Sequence, residues 1–261
     1  MNLDLRGKTA LVCGSSQGIG KASAVELANL GANIILLARN EEKLEQVKGE
    51  LASANGQSHC VKVTDFSEPE RVKEMAKEIA SQYQVDILVN NTGGPAGGPI
   101  TEATGDAFLA AFNQHLINNQ NITQAMLPGM KKAGYGRIIN IISTSVKVPL
   151  NGLGVSNTIR GAVANWSKTM ANELGSFGIT VNNVLPGATM TARLDSIASA
   201  KAEKTGNSKE DVLKQMASAS PAQRVGEPEE VANAVAFLAS PAAAFINGIN
   251  LPVDGGRTPC L

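Results

Sequence analysis

Six short apolar runs, separated by longer stretches of amphipathic periodicity, constrain this chain more than any other feature. The runs are Thr9–Cys13, Asn33–Ala38, His59–Val63, Asp86–Val89, Arg137–Ile142 and Ile179–Val184. Between them lie helical patterns such as Lys21–Leu30, Glu41–Ala54 and Pro69–Tyr83. Strands that read as continuous apolar runs are buried on both faces, and strand–helix alternation at this spacing gives a parallel sheet covered on both sides. The pattern therefore predicts a doubly wound, Rossmann-type α/β fold of about seven strands. With 261 residues and 43% hydrophobic content, one such domain can occupy the whole chain.

Two segments break the rhythm. The loop Gly93–Pro99 is rich in Gly and Pro, and residues 192–220 are rich in Ala, Ser and Lys. The second reads as a helical excursion over a substrate, not as a second domain. Loops at the carboxyl ends of strands are where open α/β sheets bind ligands.

Charge narrows the partners. Lys plus Arg and Asp plus Glu are 23 each, so nothing favours a polyanion, and a basic nucleic-acid surface is not expected. Cys13, Cys60 and Cys260 have neither CxxC spacing nor an even count, and read as reduced thiols in a cytoplasmic protein. Met1–Lys8 is polar, and no apolar run approaches the roughly 20 residues that span a bilayer, so no membrane association is expected. No metal site is expected.

The first predicted strand runs into Gly14-Ser15-Ser16-Gln17-Gly18-Ile19-Gly20, which opens the first helix. Glycines there permit a tight turn and close approach of a pyrophosphate, and a helix N-terminus offers N–H groups and a positive dipole end. The G-x3-G-x-G spacing differs from G-x-G-x-x-G, but its place between strand and helix makes it a dinucleotide loop. The second strand ends in Ala38-Arg39-Asn40. An acid there would hold the ribose 2′-OH of NAD, whereas an arginine accommodates a 2′-phosphate. Arg39 thus favours NADP(H), with NAD(H) possible.

Together these features resemble the short-chain dehydrogenase/reductase superfamily, in particular the branch with 3-oxoacyl-[acyl-carrier-protein] reductases. The resemblance covers nearly the whole chain. Gly14, Gly18 and Gly20 match its phosphate loop, and Val63-Thr64-Asp65-Phe66 resembles its adenine-binding turn. Asn90-Asn91-Thr92-Gly93 is similar to its N-N-A-G motif, and Asn182–Gly187 to its V-N-x-V-x-P-G segment. The resemblance implies cofactor contacts from Asp65, Phe66, Asn91, Thr92, Gly93, Pro186, Gly187, Thr189 and Thr191. Leu251–Gly256 is similar to the last strand. A homotetramer or homodimer built on helices around 102–132 and 152–177 is also implied.

The family's catalytic set is Asn, Ser, Tyr and Lys. Ser143 matches its serine. The positions 13 and 17 residues further on, where Tyr and Lys belong, hold Ser156 and Arg160. The asparagine position, 13 residues before the Pro128 expected to end its helix, holds His115. Ser156 and Arg160 share a helix face by their spacing of four. Arg160 can hold ribose hydroxyls, an oxyanion or a carboxylate, but donates no proton. His115, with an ordinary pKa of about 6.5, is the expected proton source, acting with Ser156. The implied activity is NADP(H)-dependent interconversion of a carbonyl and an alcohol on a small substrate. The alternative is an NADP-binding protein without redox turnover, a sensor or partner subunit.

Overall fold

A computed structural model describes residues 1–260. The six apolar runs form β1 Thr9–Cys13, β2 Asn33–Ala38, β3 His59–Val63, β4 Ile87–Asn90, β5 Gly136–Ile141 and β6 Ile179–Pro186, and a seventh strand is β7 Asn250–Val253. All pair in parallel, in the order β3-β2-β1-β4-β5-β6-β7. The chain winds outward from β1 in one direction and from β4 in the other. The order therefore reverses between β1 and β4, which is the crevice where such sheets hold ligands.

Successive side chains on a strand point to opposite faces, and in the inner strands both faces are buried. Ala10, Val12, Ile34, Leu36, Ile87, Val89, Ile139 and Val184 pack with α1 (Gly18–Asn29), α2 (Glu41–Glu50) and the last helix, residues Pro228–Ala239. The alternating residues Leu11, Cys13, Ile35, Leu37, Leu88, Ile138 and Val181 pack on the other face. There they meet α3 (Pro69–Gln82), α5 (Asn118–Ala133) and α6 (Gly154–Leu174). This two-sided burial is why the inner strands read as largely apolar runs rather than alternating ones.

One row of the sheet is polar. Asn90, Asn140, Asn183 and Asn250 are register partners across β4, β5, β6 and β7. Asn90 Nδ2 donates to Asn140 Oδ1 (2.9 Å), Asn140 Nδ2 to Asn183 Oδ1 (3.0 Å), and Asn183 Nδ2 to Asn250 Oδ1 (2.8 Å). Asn140 is fully buried, so each link replaces a lost contact with water. The row lies near the carboxyl ends of β4 and β5 and fixes their relative register just beneath the crevice.

Two expectations of element boundaries change. The helix around 102–132 is α4 (Gly105–Phe112), a π turn over Asn113–Ile117, and α5. Pro128 does not end it: α5 runs through Pro128 to Ala133 and stops at Gly134, whose φ of 61° is the left-handed conformation of a glycine C-cap. Residues 192–220 form α7 (Ala192–Thr205) and α8 (Lys209–Ser218), leaving α9 as the Pro228–Ala239 helix. Among the described residues no helix is long and apolar enough to cross a membrane, and no cluster suited to a metal ion occurs. The three cysteines are free.

Candidate active site

The turn from β1 into α1 lies in the β1/β4 crevice. Gly14 and Gly18 have φ of 61° and 56°, where a side chain is strained. A Cβ on Gly14 would stand 2.5 Å from the Asn91 carbonyl oxygen, and one on Gly20 2.2 Å from that of Gly14. Asn91 Nδ2 donates to the carbonyls of Cys13 (3.2 Å) and Gly14 (3.3 Å), closing the loop onto the end of β4. No side chain caps α1 at Gln17, and its first turn holds no acid. An uncapped helix N-terminus against a glycine wall fits a pyrophosphate. The Ser15 side chain has a structural task. It is fully buried, and its hydroxyl accepts the Leu37 N–H at 3.0 Å, so this side chain pins the loop to β2. Ile19 likewise packs into the core, while Ser16 and Gln17 remain at the surface of the turn.

On the β2–β3 side, Arg39 is exposed beside the buried Ala38. With Thr64, Asp65, Arg71 and Met75 it lines a cavity of about 670 Å³. Arg71 is paired with Glu68, whereas Arg39 has no carboxylate in ion-pair reach among the described residues. The N–H and hydroxyl of Ser67 hold the Asp65 carboxyl below its usual range, helped by Arg39. Phe66 is buried, and its carbonyl accepts Asn118 Nδ2 at 2.8 Å, which anchors this turn to α5.

On the other side of the crevice, the π turn carries His115. Its Nδ1 is hydrogen-bonded to Thr92 Oγ1, just beyond β4. Arg160, on α6, donates from Nη2 to the Thr92 carbonyl (3.4 Å) and from Nη1 to that of Ile141 at the end of β5 (3.1 Å). Thr92 thus joins His115 to Arg160. Ser143, half-buried after β5, caps a short turn by accepting the Ser145 N–H (3.1 Å). Ser156 is half-buried one helical turn before Arg160.

The expected role of His115 as an acid near neutrality does not hold. His115 is buried, and burial first, then the charges of Arg160 and Arg193, push its pKa down to about 2. The imidazole is neutral at any working pH, and Nε2 has no partner. Arg160 is buried too, and burial together with Arg193 lowers its pKa to about 10, so it remains a cation. Neither tyrosine substitutes. Tyr135 donates its hydroxyl to the Ala239 carbonyl (3.0 Å), and Tyr83 lies at the end of α3 beside Lys62.

The segment after β6 closes the crevice. A Cβ on Gly187, following Pro186, would stand 2.7 Å from that of Asp254, so the glycine lets the end of β7 approach. Thr189 is buried, and Thr191 caps α7 by accepting the Leu194 N–H. The Thr191 methyl lies 3.2 Å from where a Cβ on Gly18 would be, which brings this segment onto the phosphate loop. Gly93 is exposed, with open space around its Cα. Sequence reasoning missed Arg193. It projects from the first turn of α7 to donate to the Pro95 carbonyl, but nothing in the sequence marks it among 23 basic residues.

Residues 14–258 match the family model described as Enoyl-(Acyl carrier protein) reductase. The chain is 36% identical over 257 residues to the 3-oxoacyl-[acyl-carrier-protein] reductase FabG of Vibrio cholerae, covering 97% of this chain and 98% of that protein. Among solved structures it is similar to L-sorbose reductase from Gluconobacter frateurii, complexed with NADPH and L-sorbose, at 31% identity, TM-score 0.93 and full coverage of both chains. It is also similar to YwfH, an NADPH-dependent reductase involved in bacilysin biosynthesis, at 32% identity, TM-score 0.91 and coverage of 97% and 99%.

Proposed function

The chain belongs to the short-chain dehydrogenase/reductase family, and from that premise we propose that it is an NADP(H)-dependent oxidoreductase interconverting a carbonyl and an alcohol on a small molecule. The observation that carries this reading is the makeup of one carboxyl edge. An uncapped, glycine-walled helix start lies at its centre, the free Arg39 on one side, and Ser143 with Arg160 on the other. Arg39 would hold the 2′-phosphate, Gly14 to Gly20 the pyrophosphate, and Asp65 and Phe66 the adenine. Asn91, Thr92, Gly93, Pro186, Gly187, Thr189 and Thr191 would border the nicotinamide half.

In this reading Ser156, Arg160 and His115 occupy the family's tyrosine, lysine and asparagine positions, and the site works without a phenol. When bound, the nicotinamide supplies the hydride. The hydroxyls of Ser143 and Ser156 donate hydrogen bonds to the carbonyl oxygen and polarise it. Arg160, with no carboxylate in ion-pair reach among the described residues, stabilises negative charge developing on that oxygen in a low-dielectric site. The proton passes from the Ser156 hydroxyl, which solvent water replenishes. His115 is a positioning residue that holds Thr92. The helices α7 and α8 cover the substrate, and the exposed Leu109 and Phe112 of α4 lie where a homodimer or homotetramer would form.

A second reading, cofactor binding without turnover, is favoured by one observation: no side chain at this edge is an acid suited to neutral pH. One experiment separates the two. NADPH and NADH are titrated against the wild type and Arg39→Ala, and NADPH oxidation is followed over a panel of ketones and aldehydes. A charge-assisted contact of about 1.5–3 kcal/mol predicts that Arg39→Ala weakens NADPH more than about tenfold and leaves NADH little changed. Tight NADPH binding with no oxidation across the panel would select the second reading.

A further inference from the structure

Arg160 and Arg193 hold one loop from two sides. Arg160 reaches the Thr92 carbonyl from α6, and Arg193 reaches the Pro95 carbonyl from α7. Both guanidinium groups therefore bond to neutral peptide oxygens. Among the described residues neither has a carboxylate within ion-pair distance, although the other ion pairs of the surface are formed with ordinary partners such as Lys209 with Asp195 on the same helix pair. The charges are close enough for Arg193 to depress the ionisation of both Arg160 and His115.

This leaves two positive charges and a neutral imidazole at one mouth. His115 Nε2, with no partner, adds a buried polar atom to the same cluster. A buried cation without a counter-ion is costly, and the cost falls when an anion arrives from outside. Peptide carbonyls satisfy only part of each guanidinium, since Arg carries five N–H donors, two of which Arg160 spends on Thr92 and Ile141. Arg193 is exposed, lies at the first turn of the covering helix, and is free to swing from Pro95 to a carboxylate below it. Guanidinium groups match carboxylates in geometry, and an arginine contact to an anion is stronger than one to a neutral carbonyl.

We propose that the substrate carries a carboxylate, held by Arg193 at the lip of α7 and attracted by the buried Arg160, so that the enzyme acts on an oxo acid or hydroxy acid rather than on a neutral ketone. The inference rests on the reductase reading of the same crevice.

The test is a binding measurement on the NADP⁺-saturated protein, so that it does not depend on turnover. Acetoacetate and 2-oxohexanoate are each titrated beside their methyl esters, which have the same shape near the carbonyl and no charge. The expected result is that at least one acid binds ten times more tightly than its ester. Arg193→Ala should abolish that preference, Arg193→Lys should retain part of it, and NADPH affinity should stay within twofold in both. Equal binding of acid and ester in both pairs, no binding of either, or a preference that survives Arg193→Ala would overturn the proposal. Oxidation of NADPH by neutral ketones with no acid preference would overturn it and leave the reductase reading standing. An acid preference lost in Arg193→Ala but with no turnover of any carbonyl would establish a carboxylate site there and overturn its assignment to a reductase substrate.

Discussion

The neutral His115 ties a single side chain to the stability of the whole protein. Its pKa falls from 6.5 to about 2 on folding, so the unfolded chain binds a proton that the folded one refuses. The stability it secures is complete above pH 6.5 and is lost as the pH falls below that value toward the folded pKa. Between pH 7 and pH 5 this one group contributes a loss of about 2 kcal/mol. Urea denaturation of the wild type and His115→Asn at the two pH values checks this. The variant should lose about 2 kcal/mol less than the wild type on acidification. Equal losses would mean that the histidine is solvated and titrates normally. The residue type at position 115 was legible in the sequence, and its role was not. An imidazole reads as an acid near neutrality until its surroundings are known, and those come from Arg160, 45 residues away on α6, and from Arg193 on α7. Ser15 is a similar case: its place in a phosphate loop suggested a contact, and the hydrogen bond from Leu37 to its hydroxyl, which pins that loop to β2, was not legible.

Elements carry the site because their ends, not their middles, face the crevice. Six of the seven strands were legible as apolar-rich runs because burial between helices favours apolar residues there, and most observed ends coincide with the expected ones, the rest differing by one or two residues. The π turn at Asn113–Ile117 was not legible, because a single widened turn leaves hydrophobic periodicity nearly unchanged. Nor was the run of α5 through Pro128: packing of Met126 and Met130 against the sheet outweighs the missing N–H. The asparagine row was visible only as four separate residues until register aligned them. It makes β4, β5 and β6 one cooperative polar unit inside an apolar core. Asn140→Ala removes two of the row's three links and leaves Asn90 Nδ2 and Asn183 Oδ1 buried without partners, alongside a new cavity. These costs sum to about 3–5 kcal/mol. Denaturant unfolding should report a loss of that size, and one below about 1 kcal/mol would show that the row does not hold the sheet.

At the scale of the molecule, a seven-stranded sheet with two dry faces supplies a rigid floor, and the carboxyl-edge loops and α7–α8 supply what is specific. The family's scaffold is kept nearly throughout, while in the proposed reading the groups that would carry the proton differ in kind. A phenol beside an amine makes a tunable acid, whereas Ser156 and Arg160 offer a hydrogen bond and a fixed charge. Under the proposed function, hydride transfer survives this exchange. It is tested most directly by supplying NADPH deuterated at the transferable position of the nicotinamide C4, together with an oxo acid, and analysing the product by mass spectrometry. The expected product is a hydroxy acid carrying one deuterium on the former carbonyl carbon. NADPH bound tightly and recovered unoxidised, with no deuterium in any product across the carbonyl panel, would contradict it.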